Sequence, residues 1–330
     1  MGGAVIGVGV CPLPLSFTCP PGLADGADRL RPAGGLPGPM DEEIMLAKGG
    51  LLLAALMMPA LALAGPRVAS MNLCADELVL RLADREQIAS VSFLALEARI
   101  STVADLAATV PINHGQAEDV VVQRPDLVIA GKYTTRTTVA LLRRLGLPVA
   151  ELDVPVTFEA VQAQIREVAA HLGQAARGEA MVDDIDRRLA AVRPAAGRIR
   201  ALVLSPNGVT AGPGSLVDTL LVRAGLVNLG RDPALAGYTS LPLEMILNLK
   251  PDLLIMDMEP LPAPSLAHQV LRHPALRDLP FRMAVVGVPN RLWTCAGPAM
   301  VEAVEILADA GRQIEEEGQD AAQMATLRPE

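Results

Sequence analysis

Between residues 65 and 156, short runs of aliphatic and β-branched residues alternate with stretches whose apolar positions recur at helical spacing. PRVASMNL (66–73) is strand-like, and CADELVLRLAD (74–84) follows as a helix. IASVSF (88–93), PDLVIAG (125–131) and LPVAELD (147–153) have the composition of buried strands. AEDVVVQR (117–124) and TRTTVALLRRLG (135–146) are the helices between them. Residues 193–312 follow the same plan. RIRALVLS (198–205), PDLLIMD (251–257) and FRMAVVGVP (281–289) are predicted strands. GSLVDTLLVRAG (214–225), LPLEMILNLK (241–250), SLAHQVLRH (265–273) and GPAMVEAVEILADAGRQIEE (297–316) are predicted helices. Helices alternating with buried strands imply parallel sheets covered on both faces.

The two halves also share a written unit. AEDVVVQRPDLVIAG (117–131) aligns without gaps on LEMILNLKPDLLIMD (243–257), matching Glu118 with Glu244, Pro125 with Pro251, Asp126 with Asp252 and Leu127 with Leu253. Each proline stops a helix, because the residue before it is pushed out of the right-handed helical region. Between the halves, residues 157–192 are amphipathic at helical period, with Thr157 as N-cap and soft points only at Gly173 and Gly178. The expectation is an α/β fold of two Rossmann-like lobes with mainly parallel sheets, 65–156 and 193–312. A long backbone helix, 157–192, joins them, a ligand cleft lies between them, and 313–330 forms a polar tail.

Composition narrows what such a fold does. A net charge of −9 over 330 residues opposes nucleic-acid binding, which needs a basic face. Hydrophobic residues at 51% permit a large core. Residues 49–64, GGLLLAALMMPALALA, follow Lys48 and end in Ala62-Leu63-Ala64, the shape of a cleavable secretory signal. The expectation is a signal peptide over 40–64, cleavage near Ala64/Gly65 and export to the periplasm. Residues 1–39, rich in Pro and Gly, are read as a leader absent from the mature protein or disordered.

RVASMNLCADELVLRLA, the two Glu-x6-Pro-Asp-Leu units and NRLWTCAGPAMVEAVEILA together resemble the periplasmic solute-binding proteins of iron-siderophore, haem and cobalamin ABC importers. The resemblance covers roughly residues 66–312. It implies a binding protein that carries an iron-siderophore or cobalamin-type metal chelate to an ABC permease dimer with its ATPase subunits. Haem transport, or sensing without transport, are the alternatives. It also implies a monomer with no intrinsic cofactor. In this family a glutamate at the tip of each lobe pairs with permease arginines, and the matching positions are Glu118 and Glu244. A helix-end role, favouring the positive N-terminal dipole, is the plainer reading of both.

Ligands of open α/β sheets bind beyond the carboxyl ends of the strands. That rule selects Asn72 after the first strand, Lys132, Tyr133 and Arg136 after PDLVIAG, and Arg291 and Trp293 after FRMAVVGVP. Aromatic residues are only 2% of the chain, yet Tyr133, Tyr238 and the single tryptophan, Trp293, all fall in such loops. They suggest ring faces for a flat ligand, with Lys or Arg for its anionic groups. For Trp293 a packing role is the equal alternative. His114 stands near the point where haem-binding relatives carry a tyrosine, so it is either an axial ligand or, on the plainer reading, a turn residue or polar cleft contact. No other histidine shows metal-ligand spacing, and no protein metal site is expected.

In an exported chain Cys74 and Cys295 could form a disulfide. On the two-lobe reading they lie on opposite lobes, where a disulfide would lock them together. Packed thiols are therefore expected. AGPGSL (211–216) lacks the Gly-Lys-Ser/Thr of a phosphate loop and reads as a turn, and no nucleophile elbow is present, so the chain is not expected to be an enzyme.

Overall fold

Two separate parallel sheets, one from each half of the chain, frame the molecule. The structure is a computed structural model that describes residues 65–231, 238–259, 267, 273–276 and 281–326. The first lobe contains β1 (Val68–Ser70), α1 (Leu73–Leu82), β2 (Ile88–Ser92), α2 (Ala104–Ala107), β3 (Ile112–Asn113), α3 (Ala117–Val122), β4 (Leu127–Gly131), α4 (Arg136–Arg144) and β5 (Val149–Leu152). Its sheet runs β3-β2-β1-β4-β5 with every pairing parallel. The strands were legible because small and aliphatic residues dominate them; β1 and β2 are completely buried, their serines included. β3 is only two residues long, too short to leave a periodic signal.

Residues 157–192 are not one helix. They form α5 (Phe158–His171) and α6 (Ala175–Ala191), folded back on each other. Thr157 caps α5 through the backbone N–H of Ala160. Gly173 makes the turn with a φ of +69°, a conformation that favours glycine. The antiparallel pairing is visible in Gln162 donating to Asp186 and Arg166 pairing with Glu179. Gly178 is a contact rather than a soft point, since a β-carbon there would lie 2.5 Å from that of Ala169. Amphipathic periodicity cannot separate one long helix from a hairpin when both halves bury one stripe.

The second lobe contains β6 (Arg200–Val203), β7 (Val209–Ala211), α7 (Leu216–Arg223), β8 (Val227–Asn228), β9 (Tyr238–Ser240), α8 (Leu243–Leu249), β10 (Leu253–Met256), β11 (Ala284–Gly287) and α9 (Met300–Thr326). Its main sheet is β11-β10-β6-β8, all parallel, and β7 and β9 form a separate antiparallel ribbon. The helix expected over 265–273 falls mostly outside the described residues, as do the leader and signal segments. One apolar cluster runs from Val68 and Leu78 through Ile165 and Ile185 to Leu220 and Val304, so the lobes and the hairpin share a core.

The repeated Pro-Asp unit builds the same clamp in both lobes. Arg124 and Lys250, just before the prolines, adopt left-handed conformations, with φ of +50° and +46°. The following aspartate turns back on the start of the lobe's first strand, on Arg67 just ahead of β1 and on Arg200, the first residue of β6. Asp126 Oδ2 accepts the N–H of Arg67 at 2.8 Å, and Asp252 Oδ2 accepts that of Arg200 at 2.9 Å. Each arginine returns a side-chain bond to the left-handed residue's carbonyl. The aspartates thus lie ahead of the strands, which begin at Leu127 and Leu253.

Candidate functional site

In the first sheet the chain reverses direction of travel between β1 and β4. That switch point opens a crevice beyond their carboxyl ends. Asn72 and Gly131 stand on its two sides and line a cavity of ≈ 180 Å³ between the lobes. The first lobe also contributes Lys132, Tyr133 and the extended segment Leu152–Val156; the second contributes Gly214, Ser215, Leu216 and the Trp293–Ala296 loop.

Each wall residue is fixed by local structure. Asn72 caps α1, its Oδ1 accepting from the backbone of Cys74 at 3.0 Å and Ala75 at 3.4 Å. Ser215 caps α7 by accepting the N–H of Asp218. Lys132 pairs with Asp153 at 2.9 Å on the rim. That hydrogen bond and charge hold the lysine above its ordinary pKa and the aspartate below its own. Tyr133 is 82% exposed beside them. Trp293 is buried in the opposite wall, its indole N–H 3.4 Å from Asn290 Oδ1.

Beneath the first-lobe loops lies a buried polar network. Asp76, on α1, accepts from the backbone N–H of Ser92 at 3.1 Å and from its hydroxyl at 2.5 Å. Asn113 donates to the Ser70 carbonyl and to Ser90. These bonds set the ends of β1, β2 and β3, from which the cleft loops leave. Burial pushes the Asp76 carboxyl up to about 6, against the lowering effect of the Ser70 and Ser92 hydrogen bonds.

Of the residues expected at the ligand site, Asn72, Lys132, Tyr133 and Trp293 share this cavity. Arg136, Arg291 and His114 do not line it. Arg136 begins α4 and is exposed. Arg291 pairs with Glu259 and lines a second groove of ≈ 820 Å³, also walled by Arg81, Arg99 and Arg188. Tyr238 opens β9, its backbone opposite Ala211. His114 is exposed, with Nδ1 3.4 Å from Asp119 and its ring stacked on Phe93 at 5.7 Å between centroids. Glu118 and Glu244 are exposed in the first turns of α3 and α8.

Sequence reasoning missed Phe93, Leu94 and Leu96, an exposed apolar shelf just past β2. The signal was present: a buried strand continuing into large apolar residues instead of a polar loop. It also missed Leu152–Val156, whose proline and β-branched residues mark an extended crossing rather than a helix. The expectation of packed thiols is overturned. Cys74 and Cys295 are joined in a disulfide with 5.0 Å between their α-carbons, across 221 residues. The bond ties the start of α1 to the loop before α9, and Arg99 reaches Asp257 across the same interface at 3.6 Å. The facing of the first turn of α1 and the loop before α9 brings the cysteines within bonding distance, which sequence separation conceals.

Among the described residues no group of three or more His, Cys, Asp or Glu side chains is placed to hold a metal ion, and no helix is long and apolar enough to cross a membrane.

A cobalamin-binding protein of Halobacterium salinarum is 25% identical over 195 residues. The match spans 57% of this chain and only about half, 53%, of that relative. The periplasmic heme-binding protein RhuT from Roseiflexus sp. RS-1 superposes with a TM-score of 0.61 at 23% identity, covering 76% of this chain and 99% of that one. The periplasmic vitamin B12 binding protein BtuF of Vibrio cholerae superposes with a TM-score of 0.56 at 16% identity, covering 76% and 98%. These superpositions establish the two-lobe fold. The periplasmic binding protein family model matches residues 68–282, both Pro-Asp units included, and the chain belongs to that family.

Proposed function

We propose that this protein is the substrate-binding component of an ABC importer and that its cargo is a corrinoid-type metal chelate. The observation that carries the reading is the inter-lobe cavity at the β1/β4 switch point, with Trp293 in one wall and Tyr133 on its rim. A ligand with planar ring groups gains from aromatic and apolar walls with few polar groups. The cobalamin-binding relative supports the same cargo class. Glu118 and Glu244, exposed at matching points of the two lobes, are the permease contacts of this reading. A two-fold permease would meet two equivalent carboxylates.

Trp293 supplies the test, since it is the chain's single tryptophan. Cyanocobalamin, a ferric hydroxamate siderophore and haemin are titrated separately while indole fluorescence is followed, with calorimetry giving stoichiometry. Saturable quenching by cyanocobalamin at one per protein, with no heat from the siderophore, is the expected result. Saturable siderophore binding without cyanocobalamin binding overturns the cargo class. Haemin binding abolished by His114→Ala would instead support the haem reading, with His114 as axial ligand.

A further inference from the structure

Several polar atoms around the ≈ 180 Å³ cavity are already engaged within the protein. Asn72 Oδ1 caps α1, and the Lys132 ammonium is held by Asp153. Gln164 Nε2 donates to the Asp153 carbonyl at 2.7 Å. Ser215 Oγ donates to the Gly212 carbonyl at 2.7 Å, and the Trp293 N–H is directed at Asn290. The surfaces between them are apolar, from Leu152, Val154, Pro155, Val156, Leu216 and Ala296. A strongly polar occupant would lose its hydration against these apolar walls and regain only part of it, which is costly. A neutral flat ring loses little. An apolar cavity of roughly 150 Å³ admits benzene, so this one has the scale of a one- or two-ring aromatic group.

We infer that the cavity is a subsite for the planar aromatic base that a complete corrinoid carries on its nucleotide arm. The inference rests on the corrinoid reading and adds which part of the cargo is recognised. The base is apolar on both faces. The phosphodiester that tethers it brings a negative charge to a rim where Lys132 stands, in competition with Asp153. Corrin binding alone would leave the cavity without a role in selectivity; base binding makes it the point where complete and incomplete corrinoids are told apart.

The comparison is between cyanocobalamin and dicyanocobinamide, which has the same corrin ring and no nucleotide base. Calorimetry on the full protein should give an affinity at least about tenfold higher for cyanocobalamin, because burying an aromatic ring is worth more than one tenfold step. Val156→Trp, which fills the cavity, should collapse that ratio toward one, with a melting curve recorded to confirm folding. Equal affinities in the unmodified protein overturn the subsite while leaving the corrinoid reading intact. If neither corrinoid binds, the corrinoid reading falls, and 5,6-dimethylbenzimidazole alone becomes the probe. Saturable binding of that base, lost in Val156→Trp, would uphold an aromatic subsite, and its absence would overturn it.

Discussion

Each lobe sends a buried carboxylate from its first helix to the strand that follows, and the two carboxylates are compensated differently. In the first lobe Asp76 of α1 meets only neutral donors, the hydroxyl of Ser70 and the hydroxyl and N–H of Ser92 at the end of β2, with Glu77 adding a further negative charge nearby. In the second lobe Asp218 of α7 accepts from Asn228 of β8 at 2.8 Å and pairs with the Arg231 guanidinium at 3.0 Å. The tie is the same and the charge balance is not. A repeated architecture therefore does not imply repeated electrostatics. The lobe whose loops supply Asn72, Lys132 and Tyr133 is the one with the uncompensated acid.

The largest expected effect concerns what joins the lobes. Closing a loop of 221 residues by the Cys74–Cys295 bond restricts the unfolded chain, worth up to about 5 kcal/mol in the loop-entropy picture. A Cys74→Ser/Cys295→Ser double variant should unfold at markedly lower urea. It should also allow the lobes to respond separately, splitting one transition into two. Small-angle scattering should show little ligand-induced compaction in the oxidised protein, because the bond and the shared core fix the lobe spacing, and a measurable change in the double variant. Identical urea midpoints and identical scattering would show that the shared core alone holds the lobes.

A smaller effect separates the two carboxylates. Asp76 keeps its proton to about pH 6 in the folded protein, against a value of 3.8 for the free side chain. Its raised folded pKa contributes stability that is fully present below about pH 3.8 and is lost as pH rises through about 6. At about 1.4 kcal/mol per unit the contribution is on the order of 3 kcal/mol. Asp76→Asn removes this titration while keeping a hydrogen-bonding side chain. The stability difference, wild type minus variant, should therefore fall between pH 4 and pH 7. Urea midpoints at a series of pH values measure it, and a difference independent of pH would refute the assignment.

Much of this was legible in the sequence, for identifiable reasons. Strands buried on both faces are dominated by aliphatic and small residues, so IASVSF and PDLLIMD announce β2 and β10 directly. The Pro-Asp repeat was visible as text, but its purpose was not. Its clamp depends on Arg67 and Arg200, far upstream in the chain and equal partners only once the strands lie side by side. The hairpin of α5 and α6 was hidden because both helices carry one apolar stripe and Gly173 looks like any other glycine. The loop rule brought Asn72, Lys132, Tyr133 and Trp293 to one cavity, since those residues leave the strand ends directly. It did not bring Arg291 or His114 there, because side-chain direction within a loop is set by partners such as Glu259 and Asp119 that spacing does not reveal.

The smallest expected effect on the fold falls on Glu118 and Glu244, where the lobes are most alike. Both are exposed in the first turn of a short helix ending at a left-handed residue and a proline. Exposed apolar side chains accompany both, Val121 and Val122 in the first lobe and Met245 in the second. Neither carboxylate belongs to a clamp: among the described residues the acidic side chain paired in these first turns is Asp119, with His114, and not Glu118 or Glu244. Replacing either by alanine should thus change stability by no more than about 0.5 kcal/mol, the usual range for exposed sites. Helix-end charge accounts for at most that much. If the pair serves only the helices, nothing else should change. If it serves docking, the double variant should bind cargo with unaltered affinity and fail to stimulate the ATPase of the reconstituted importer. Each single variant should fall between, because a two-fold partner reads the two lobes through one contact each. Loss of cargo affinity would move these residues out of the docking surface. Full stimulation by the double variant would return them to the helix ends.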